Sequence, residues 1–264
     1  MKAFILSAGF GKRLLPYTLK TPKPCMYFLD IPLIAFNLQH LLNIGVTEFI
    51  FNTHHLKDEF IKTVTKLLSK KSVTYHFSHE KILLNSAGGL KKVCELLHSE
   101  QDFLMINADS LCLGNSDFLK ESVKLHKKNN ALATLLCCPS PDKNFKTIKI
   151  NKQNHILNIG PVSKDNLHYT GYMIVSCNIF SLIKINNAHI FSDVLLPYIK
   201  KTLKEPFNDN QKVFANYTAL WKFFEMGNIK DFKNAEKQCL DILKGDNNIE
   251  LKNYLNNTIS NFLT

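Results

Sequence analysis

Short apolar runs and segments with apolar residues at helical spacing alternate along the first half of the chain. Apolar runs bounded by turn residues predict strands, and apolar positions every three or four residues predict helices. The pattern predicts strands over residues 2–7, 49–51, 73–77 and 103–106, and helices over residues 32–43, 56–68 and 89–98. This alternation predicts an α/β fold with a doubly wound, mostly parallel, Rossmann-like sheet and helices on both faces.

The second half of the chain has more closely spaced strand patterns and ends in two helical segments. Strands are predicted over residues 132–137, 145–150, 156–159 and 169–175, and helices over residues 229–243 and 249–262. Gly245 and Asp246 separate the two helices. We expect a single domain over residues 1–240 that changes character near residue 130, followed by a C-terminal helical extension over residues 241–264.

The composition is that of a globular protein with one main core. The chain has 264 residues, of which 45% are hydrophobic, so it can bury a large core without disulfides or a structural metal. No apolar run approaches the roughly 20 residues that span a bilayer, so we expect a cytoplasmic protein with no membrane partner. The seven cysteines include no CxxC pair and lie mostly in apolar runs, which indicates reduced core residues.

The chain is strongly basic, with 33 Lys and Arg against 22 Asp and Glu and a net charge of +11. Such a charge is compatible with nucleic acid, an acidic membrane surface or phosphorylated small substrates. Nucleic-acid binders concentrate their basic residues, whereas the lysines here are spread along the whole chain. Most of this charge is therefore interpreted as solvated surface, and no nucleic-acid partner is expected.

Residues suited to binding phosphate follow the first predicted strand. Gly9 and Gly11 form a turn whose backbone N–H groups can approach phosphate oxygens, while Arg13 and Lys23 can neutralise the charge of a triphosphate. The stretch lacks the GxxxxGK[ST] spacing of a P-loop and the third glycine of a dinucleotide-binding fold. It is therefore not a generic phosphate loop.

A second candidate lies at the end of another predicted strand. Asp109 follows residues 103–106 directly and so lies at a carboxyl end, where a hard carboxylate suits Mg²⁺ bridging two phosphates. An aspartate in this position is also a common helix N-cap. The adjacent histidines His54 and His55 point to opposite sides of an extended segment and have no third ligand nearby, so they are not interpreted as a metal site.

The N-terminal stretch resembles the signature of the sugar nucleotidyltransferases (nucleotide-sugar pyrophosphorylases), GxGxRLxPLT followed by PKP, with Tyr17 in place of the usual Leu. The resemblance extends over about residues 2–240. It is closest to the short bacterial N-acetylmuramate-1-phosphate uridylyltransferase and mannose-1-phosphate guanylyltransferase types. It implies a nucleotide-binding half up to about residue 130 and a half over residues 131–228 that binds the sugar phosphate and supplies a second metal ligand.

The resemblance also implies roles for individual residues. Arg13 and Lys23 would act catalytically by holding and polarising the triphosphate. Asp109 corresponds to the first metal ligand of the family, and Glu225 stands where a D-x-G-T element supplies the second, so Mg²⁺ is the implied cofactor. The implied nucleotide-binding residues are Ala8, Gly9, Gly11, Lys12, Arg13, Lys23, Asn85, Gly88, Gly89 and Asn107.

The residues expected to bind the acceptor, the sugar 1-phosphate, match the family less closely. Thr170 and Gly171 resemble a T-G strand motif that approaches the sugar, and Gly171 would admit close contact. The E-K-P element of many relatives is absent, which leaves Lys164 as a candidate for the sugar phosphate or as a solvated loop lysine. Gly88 and Gly89 could equally be an ordinary glycine pair at a helix entry.

The expected function is synthesis of an NDP-sugar and pyrophosphate from an NTP and a sugar 1-phosphate. The implied partners are UTP or GTP with N-acetylmuramate, mannose or another hexose 1-phosphate. Two alternatives stay open: a phosphocholine cytidylyltransferase using CTP, and a non-catalytic nucleotide-binding regulatory module. The sequence also leaves open whether the C-terminal helices pack on the core or form a contact in a homo-oligomer.

Overall fold

The computed structural model describes residues 1–140, 147–160, 167–204, 211–245 and 248–263. The strands are β1 Lys2–Leu6, β2 Tyr27–Phe28, β3 Ile31–Pro32, β4 Glu48–Thr53, β5 Thr74–His79, β6 Asp102–Asn107, β7 Leu111–Leu113, β8 Ala133–Pro139, β9 Thr147–Ile150, β10 Ile156–Gly160, β11 Leu167–Ser176, β12 Val213–Tyr217 and β13 Lys222–Phe224. The α-helices are α1 Ile34–Asn43, α2 Lys57–Leu68, α3 Asn85–Lys92, α4 Cys94–Leu97, α5 Asp117–Lys128, α6 Leu196–Lys204, α7 Ile229–Lys244 and α8 Ile249–Phe262. A π-helical segment, Ile190–Leu195, leads into α6, and 3-10 turns cover Lys12–Leu14, Tyr17–Leu19, Lys23–Cys25 and Cys177–Leu182.

Within the described residues the main sheet has nine strands, and its N-terminal half is parallel. Strands β5, β4, β1 and β6 lie side by side in that order, all parallel. Strand β11 is antiparallel to β6 and to β8, and β12 pairs with β8 in parallel. The expected α/β architecture is confirmed, with a mixed sheet in the second half. Because the carboxyl ends of parallel strands meet at one edge, the loops after β1, β4 and β6 lie together.

Successive residues of the central strands belong alternately to two hydrophobic cores, one on each face of the sheet. In β1, Ala3 and Ile5 belong to one core and Phe4 to the other, and β6 alternates in the same way. Residues of α1, α2, α7 and α8 pack in the first core, whereas α3, α4 and α6 contribute to the second. Both faces are therefore covered by helices, as the sequence pattern predicted.

Some elements differ from the pattern in the sequence. The helix expected over residues 89–98 begins at Asn85 and is interrupted at Val93, whose φ of −104° and ψ of 13° leave the helical region. Helix α5 was not predicted because few of its side chains are buried, and two of those, Ser122 and His126, are polar. Strands β7, β12 and β13 and helix α6 were also not predicted.

The C-terminal helices pack on the main core. The boundary expected at residue 240 falls inside α7, and both α7 and α8 place residues in the first hydrophobic core. The hydroxyl of Tyr254 in α8 donates a hydrogen bond of 2.5 Å to the carbonyl of Phe36 in α1. The imidazole of His40 stacks between Trp221 and Tyr254, with ring centroids 4.7 and 4.2 Å away. In the described part of the chain, every helix is too short or too polar to cross a lipid bilayer.

Candidate active site

The glycine loop after β1 is fixed to the neighbouring strand. The backbone N–H of Ser7 donates to Oδ1 of Asn52 at 2.7 Å, and the Ser7 hydroxyl donates to the Asn52 carbonyl at 2.5 Å. Gly11 then adopts a φ of +62°, and a Cβ added there would lie 2.8 Å from Cγ2 of Thr18. A residue without a side chain is therefore required at the point where the loop turns.

A cavity of about 310 Å³ opens at the carboxyl edge of the parallel strands. It is lined by Leu6, Ser7, Ala8, Gly9, Gly11, Lys23, Pro24, Asn52, Leu83, Asn85, Ser86, Asn107, Asp109 and His189. The structure thus brings together most of the residues that the sequence assigned to nucleotide binding, together with the first of the two expected metal ligands. We call this the nucleotide cavity.

Lys23 and Asp109 form an ion pair within this cavity. The Lys23 ammonium lies 2.7 Å from Oδ2 of Asp109, and the lysine side chain is about 10% exposed, whereas that of Asp109 is 42% exposed. Lys23 lies in the 3-10 turn Lys23–Cys25, and Asp109 lies in the loop that follows β6. The pair therefore joins two segments 86 residues apart in the chain.

Two buried side chains hold the loop that carries Asp109 in place through hydrogen bonds. The amide of Asn37 in α1 donates to the carbonyls of Ala108 at 3.1 Å and Asn107 at 3.3 Å. The Tyr172 hydroxyl in turn donates to Oδ1 of Asn37. Burial raises the pKa of Tyr172 well above its ordinary value, so this hydroxyl keeps its hydrogen and remains a donor. This supporting role of Asn37 and Tyr172 was not predicted from the sequence.

Arg13 and Glu225 line a second, larger cavity of about 880 Å³ rather than the nucleotide cavity. A Cβ added to Gly227 would lie 2.3 Å from Oε1 of Glu225 and 2.7 Å from Nη1 of Arg13, so both side chains lie against this glycine. Strand β13 pairs antiparallel with β7, and Phe224 lies opposite Leu111. Glu225 follows Phe224, and Ser110, the residue after Asp109, precedes Leu111, so Glu225 and Ser110 leave this ladder at the same end.

The remaining predicted residues lie outside both cavity linings. Lys12 is exposed, with its ammonium 5.3 Å from the ring centroid of Phe10. The Gly88 N–H donates to the Ala188 carbonyl at 3.2 Å, and a Cβ on Gly88 would lie 2.0 Å from the Asn186 carbonyl oxygen. Gly89 is also buried, against Glu80 and Asn52.

On the acceptor side, Thr170 is fully buried and donates to the Leu136 carbonyl at 2.8 Å. Gly171 has a φ of +92° and lies against Ser110, next to Asp109. Lys164 lies outside the described residues. The structure therefore places Gly171 against the residue next to the expected metal ligand, whereas the Thr170 side chain is enclosed within the protein.

Further residues line or support the nucleotide cavity without having been predicted. Asn52 bridges the glycine loop to Glu80, because its side-chain amide donates a hydrogen bond to Oε1 of Glu80 at 2.8 Å. Its position at the carboxyl end of β4 is the same signal that identified Asp109. His189 comes from a segment held to the start of α3, where the Ser86 hydroxyl accepts from the Ile190 N–H at 2.8 Å. No local pattern marks His189.

The histidines after β4 make internal hydrogen bonds. Nδ1 of His54 lies 2.8 Å from the Glu80 carbonyl, and Nε2 of His55 lies 2.7 Å from the Thr18 carbonyl. Since a carbonyl only accepts, both ring nitrogens donate. The pair therefore connects the loop after β4 to two neighbouring segments.

The sheet edge, the glycine loop and the Lys23–Asp109 pair define an α/β protein with a candidate phosphate-binding site. The chain belongs to the Nucleotidyl transferase family, whose model matches residues 2–160. It is 33% identical over 155 residues to a mannose-1-phosphate guanyltransferase of Yarrowia lipolytica, covering 58% of this chain and 42% of that protein. It is 26% identical over 242 residues to the mannose-1-phosphate guanyltransferase of Hypocrea jecorina, covering 88% of this chain and 62% of that protein.

The chain spans about half the length of the curated relatives it matches. Among solved structures, it is similar to a UDP-glucose pyrophosphorylase complexed with UDP-glucose, with a TM-score of 0.72 and 18% identity. The match covers 91% of this chain and 98% of that one. At 18% identity, this similarity supports the assignment of the fold alone.

Proposed function

We propose that this protein transfers a nucleotidyl group from an NTP to a sugar 1-phosphate and releases pyrophosphate. The observation that carries the proposal is the convergence of the glycine loop, Lys23 and Asp109 on one cavity at the carboxyl edge of the parallel strands. This combination provides backbone N–H groups, a cation and a carboxylate within reach of one phosphate chain.

The glycine loop and the two cations would bind the triphosphate. Gly9 is exposed and a Cβ there would have no neighbour within 4 Å, so phosphate oxygens can approach the backbone closely. Arg13 offers a planar group that can contact two oxygens, and it lies against Gly227 at the larger cavity. Lys23 is mostly buried and would act as a fixed positive charge.

Mg²⁺ is the cofactor that we propose, held by Asp109 and Glu225. Asp109 is partly exposed, and its Oδ1 makes no hydrogen bond to a residue that the structure describes. Protein-bound Mg²⁺ typically uses one or two carboxylates and completes its shell with water and substrate phosphates, so these two side chains would supply enough protein ligands. When bound, the ion would neutralise phosphate charge and so reduce the repulsion between the two substrates.

The reaction needs no covalent intermediate on the protein. An oxygen of the acceptor phosphate attacks the α-phosphorus of the NTP in line with the departing group. One P–O bond forms, the bond from the α-phosphorus to the bridging oxygen breaks, and pyrophosphate leaves with the electron pair. Lys23 and Arg13 would stabilise the charge that develops on the phosphate oxygens.

The names of the relatives make GTP and mannose 1-phosphate the first pair of substrates to test. A pyrophosphate-release assay should cover GTP, UTP, CTP and dTTP against mannose 1-phosphate, glucose 1-phosphate, N-acetylmuramate 1-phosphate and phosphocholine, with Mg²⁺. We expect release that requires both an NTP and a sugar 1-phosphate. Release only with CTP and phosphocholine would support the cytidylyltransferase alternative, and silence for every pair would contradict catalysis.

Glu225→Gln tests the second metal ligand. The substitution keeps the size of the side chain but removes its charge, so we expect activity to fall by about 10² or more with the fold unchanged. Glu121→Gln is the matched control, since Glu121 is exposed on α5, away from the cavities. Equal activities of the two variants would remove Glu225 from the proposed site.

A further inference from the structure

The larger cavity has a polar wall built by the C-terminal helices. It adjoins the proposed reaction centre, because Arg13 and Glu225 both line it. Three further lining residues, Asp231, Asn234 and Gln238, are spaced three and four positions apart on α7 and therefore share one face of that helix. This face extends for about 10 Å along the cavity.

The side chains on this wall offer hydrogen-bonding groups to a ligand. The amides of Asn234 and Gln238 make no hydrogen bond to any other residue that the structure describes. Glu250 at the start of α8 accepts from the Asn115 N–H at 3.1 Å through one of its two oxygens. Amides and carboxylates of this kind can donate to and accept from the hydroxyls of a sugar.

The charges around the cavity bear on the acceptor that it can hold. Among the described lining residues, Glu225, Asp231 and Glu250 are acidic, whereas Arg13 and Lys222 are basic. The Lys222 ammonium lies over the ring of Phe224, 4.9 Å from its centroid. A phosphate would be attracted to Arg13, but a further carboxylate on the sugar would face acidic side chains, which costs free energy.

The size of the larger cavity and the burial of Thr170 both support binding of the acceptor in that cavity. About 880 Å³ lies within the range of small-molecule sites, whereas the nucleotide cavity of about 310 Å³ is at its lower end. Thr170, which the sequence suggested for the acceptor, is fully buried and uses its hydroxyl inside the protein. The acceptor must therefore be recognised by other side chains.

We propose that the larger cavity binds the sugar portion of the acceptor, that Asn234 and Gln238 are specificity-determining residues, and that the preferred sugar carries no charge of its own. The inference rests on the proposed function and adds to it the substrate class and a role for α7. It predicts that a neutral hexose 1-phosphate is used better than one bearing a carboxylate.

The test uses the double variant Asn234→Ala, Gln238→Ala of the full chain. Loss of two hydrogen bonds to sugar hydroxyls should raise KM for mannose 1-phosphate about tenfold, while KM for the NTP stays within about twofold. Asn257→Ala is the control, since Asn257 is exposed on α8 and lies outside the cavity lining. Calorimetric titration with mannose 1-phosphate, in the presence of a non-hydrolysable NTP analogue, gives the same comparison without turnover.

The outcomes separate this inference from the proposed function. If no NTP and acceptor pair gives pyrophosphate, the proposed function fails. If wild-type protein is active and the double variant keeps the wild-type KM and affinity for mannose 1-phosphate, only the role of α7 is overturned. A kcat/KM for N-acetylmuramate 1-phosphate or phosphocholine above that for every neutral hexose 1-phosphate would overturn the assignment of an uncharged acceptor.

Discussion

The ammonium of Lys23 lies 2.7 Å from Oδ2 of Asp109, which connects the glycine-loop region to the end of β6. In the proposed reaction, Lys23 would bind a phosphate group of the substrate and Asp109 would bind the metal ion. The ion pair keeps both side chains at the nucleotide cavity, and binding of the substrates would replace the contact between them. The pair is therefore central to the first prediction.

Asp109→Asn should abolish pyrophosphate release while the fold is retained. The amide keeps the shape of the side chain but loses both the charge that pairs with Lys23 and the charge that binds a divalent cation. We expect a loss of about 10² or more in kcat/KM and an unchanged circular dichroism spectrum. Asp58→Asn on the exposed side of α2 is the matched control. Wild-type activity in Asp109→Asn would refute the metal assignment.

Gly11→Ala should weaken NTP binding and destabilise the protein. A side chain at a φ of +62° costs about 1 kcal/mol, and this Cβ would also lie 2.8 Å from Thr18. Gly45→Ala is a useful control because Gly45 has a φ of +81° but no neighbour within 4 Å. Both variants should lose stability in urea unfolding, and only Gly11→Ala should raise KM for the NTP. Equal KM values would mean that the loop does not contact the nucleotide.

Tyr172→Phe should lower activity through Asn37, which the Tyr172 hydroxyl holds under the loop of Asp109. Tyr198→Phe is matched to it, since the Tyr198 hydroxyl also donates a hydrogen bond to a carbonyl, that of Gln211 at 2.7 Å, while its ring packs on the second core. Each variant should lose about 1 kcal/mol in the free energy of unfolding. A rise in the Mg²⁺ concentration for half-maximal rate is expected for Tyr172→Phe alone. The same rise in both variants would indicate a general loss of stability.

The free energy of unfolding should fall as the pH is lowered from about 6.5 to 4, in part because of His40. Burial lowers the pKa of the His40 imidazole from 6.5 to about 4, and its hydrogen bonds to the Cys112 carbonyl and Ser116 hydroxyl suit the neutral ring. Between these two values the unfolded chain binds a proton that the folded chain does not, so acid favours unfolding. The contribution of His40 is about 3 kcal/mol at most.

Comparison of wild-type protein with His40→Gln in urea unfolding at several pH values isolates this contribution. The variant loses stability at every pH because it loses the stacking on Trp221 and Tyr254, but its curve should be flatter below pH 6.5. Above pH 7 the two curves should run parallel. Parallel curves down to pH 4 would show that His40 is not the group responsible.

The sequence predicted the parts of the site that are local in the chain. Gly9, Gly11 and Lys23 lie within 15 residues of one another, and Asp109 follows a strand directly, so motif spacing and strand position were sufficient. The edge of a parallel sheet then brings such loops together without further information. For the same reason, Asn52 at the end of β4 could have been found.

Other parts depend on contacts between distant segments. The pattern around Gly88 is the same whether the glycine admits a ligand or a neighbouring backbone, and here the Asn186 carbonyl lies where a Cβ would be. Asn37 and His189 carry no local signal, because their roles depend on loops about 70 and 100 residues away. The amphipathic pattern of α7 showed which of its faces is apolar but not that its polar face borders a cavity.

The two cavities are lined by different stretches of the chain. Apart from His189, the walls of the nucleotide cavity come from the first 109 residues, whereas those of the larger cavity, apart from Arg13, come from residues 139–251. Under the proposed reaction, donor chemistry and acceptor choice could therefore diverge independently during evolution. A chimaera that exchanges residues 219–263 between two such proteins would take its acceptor range from the exchanged segment. It would bind the triphosphate as the parent that supplies its N-terminal part does.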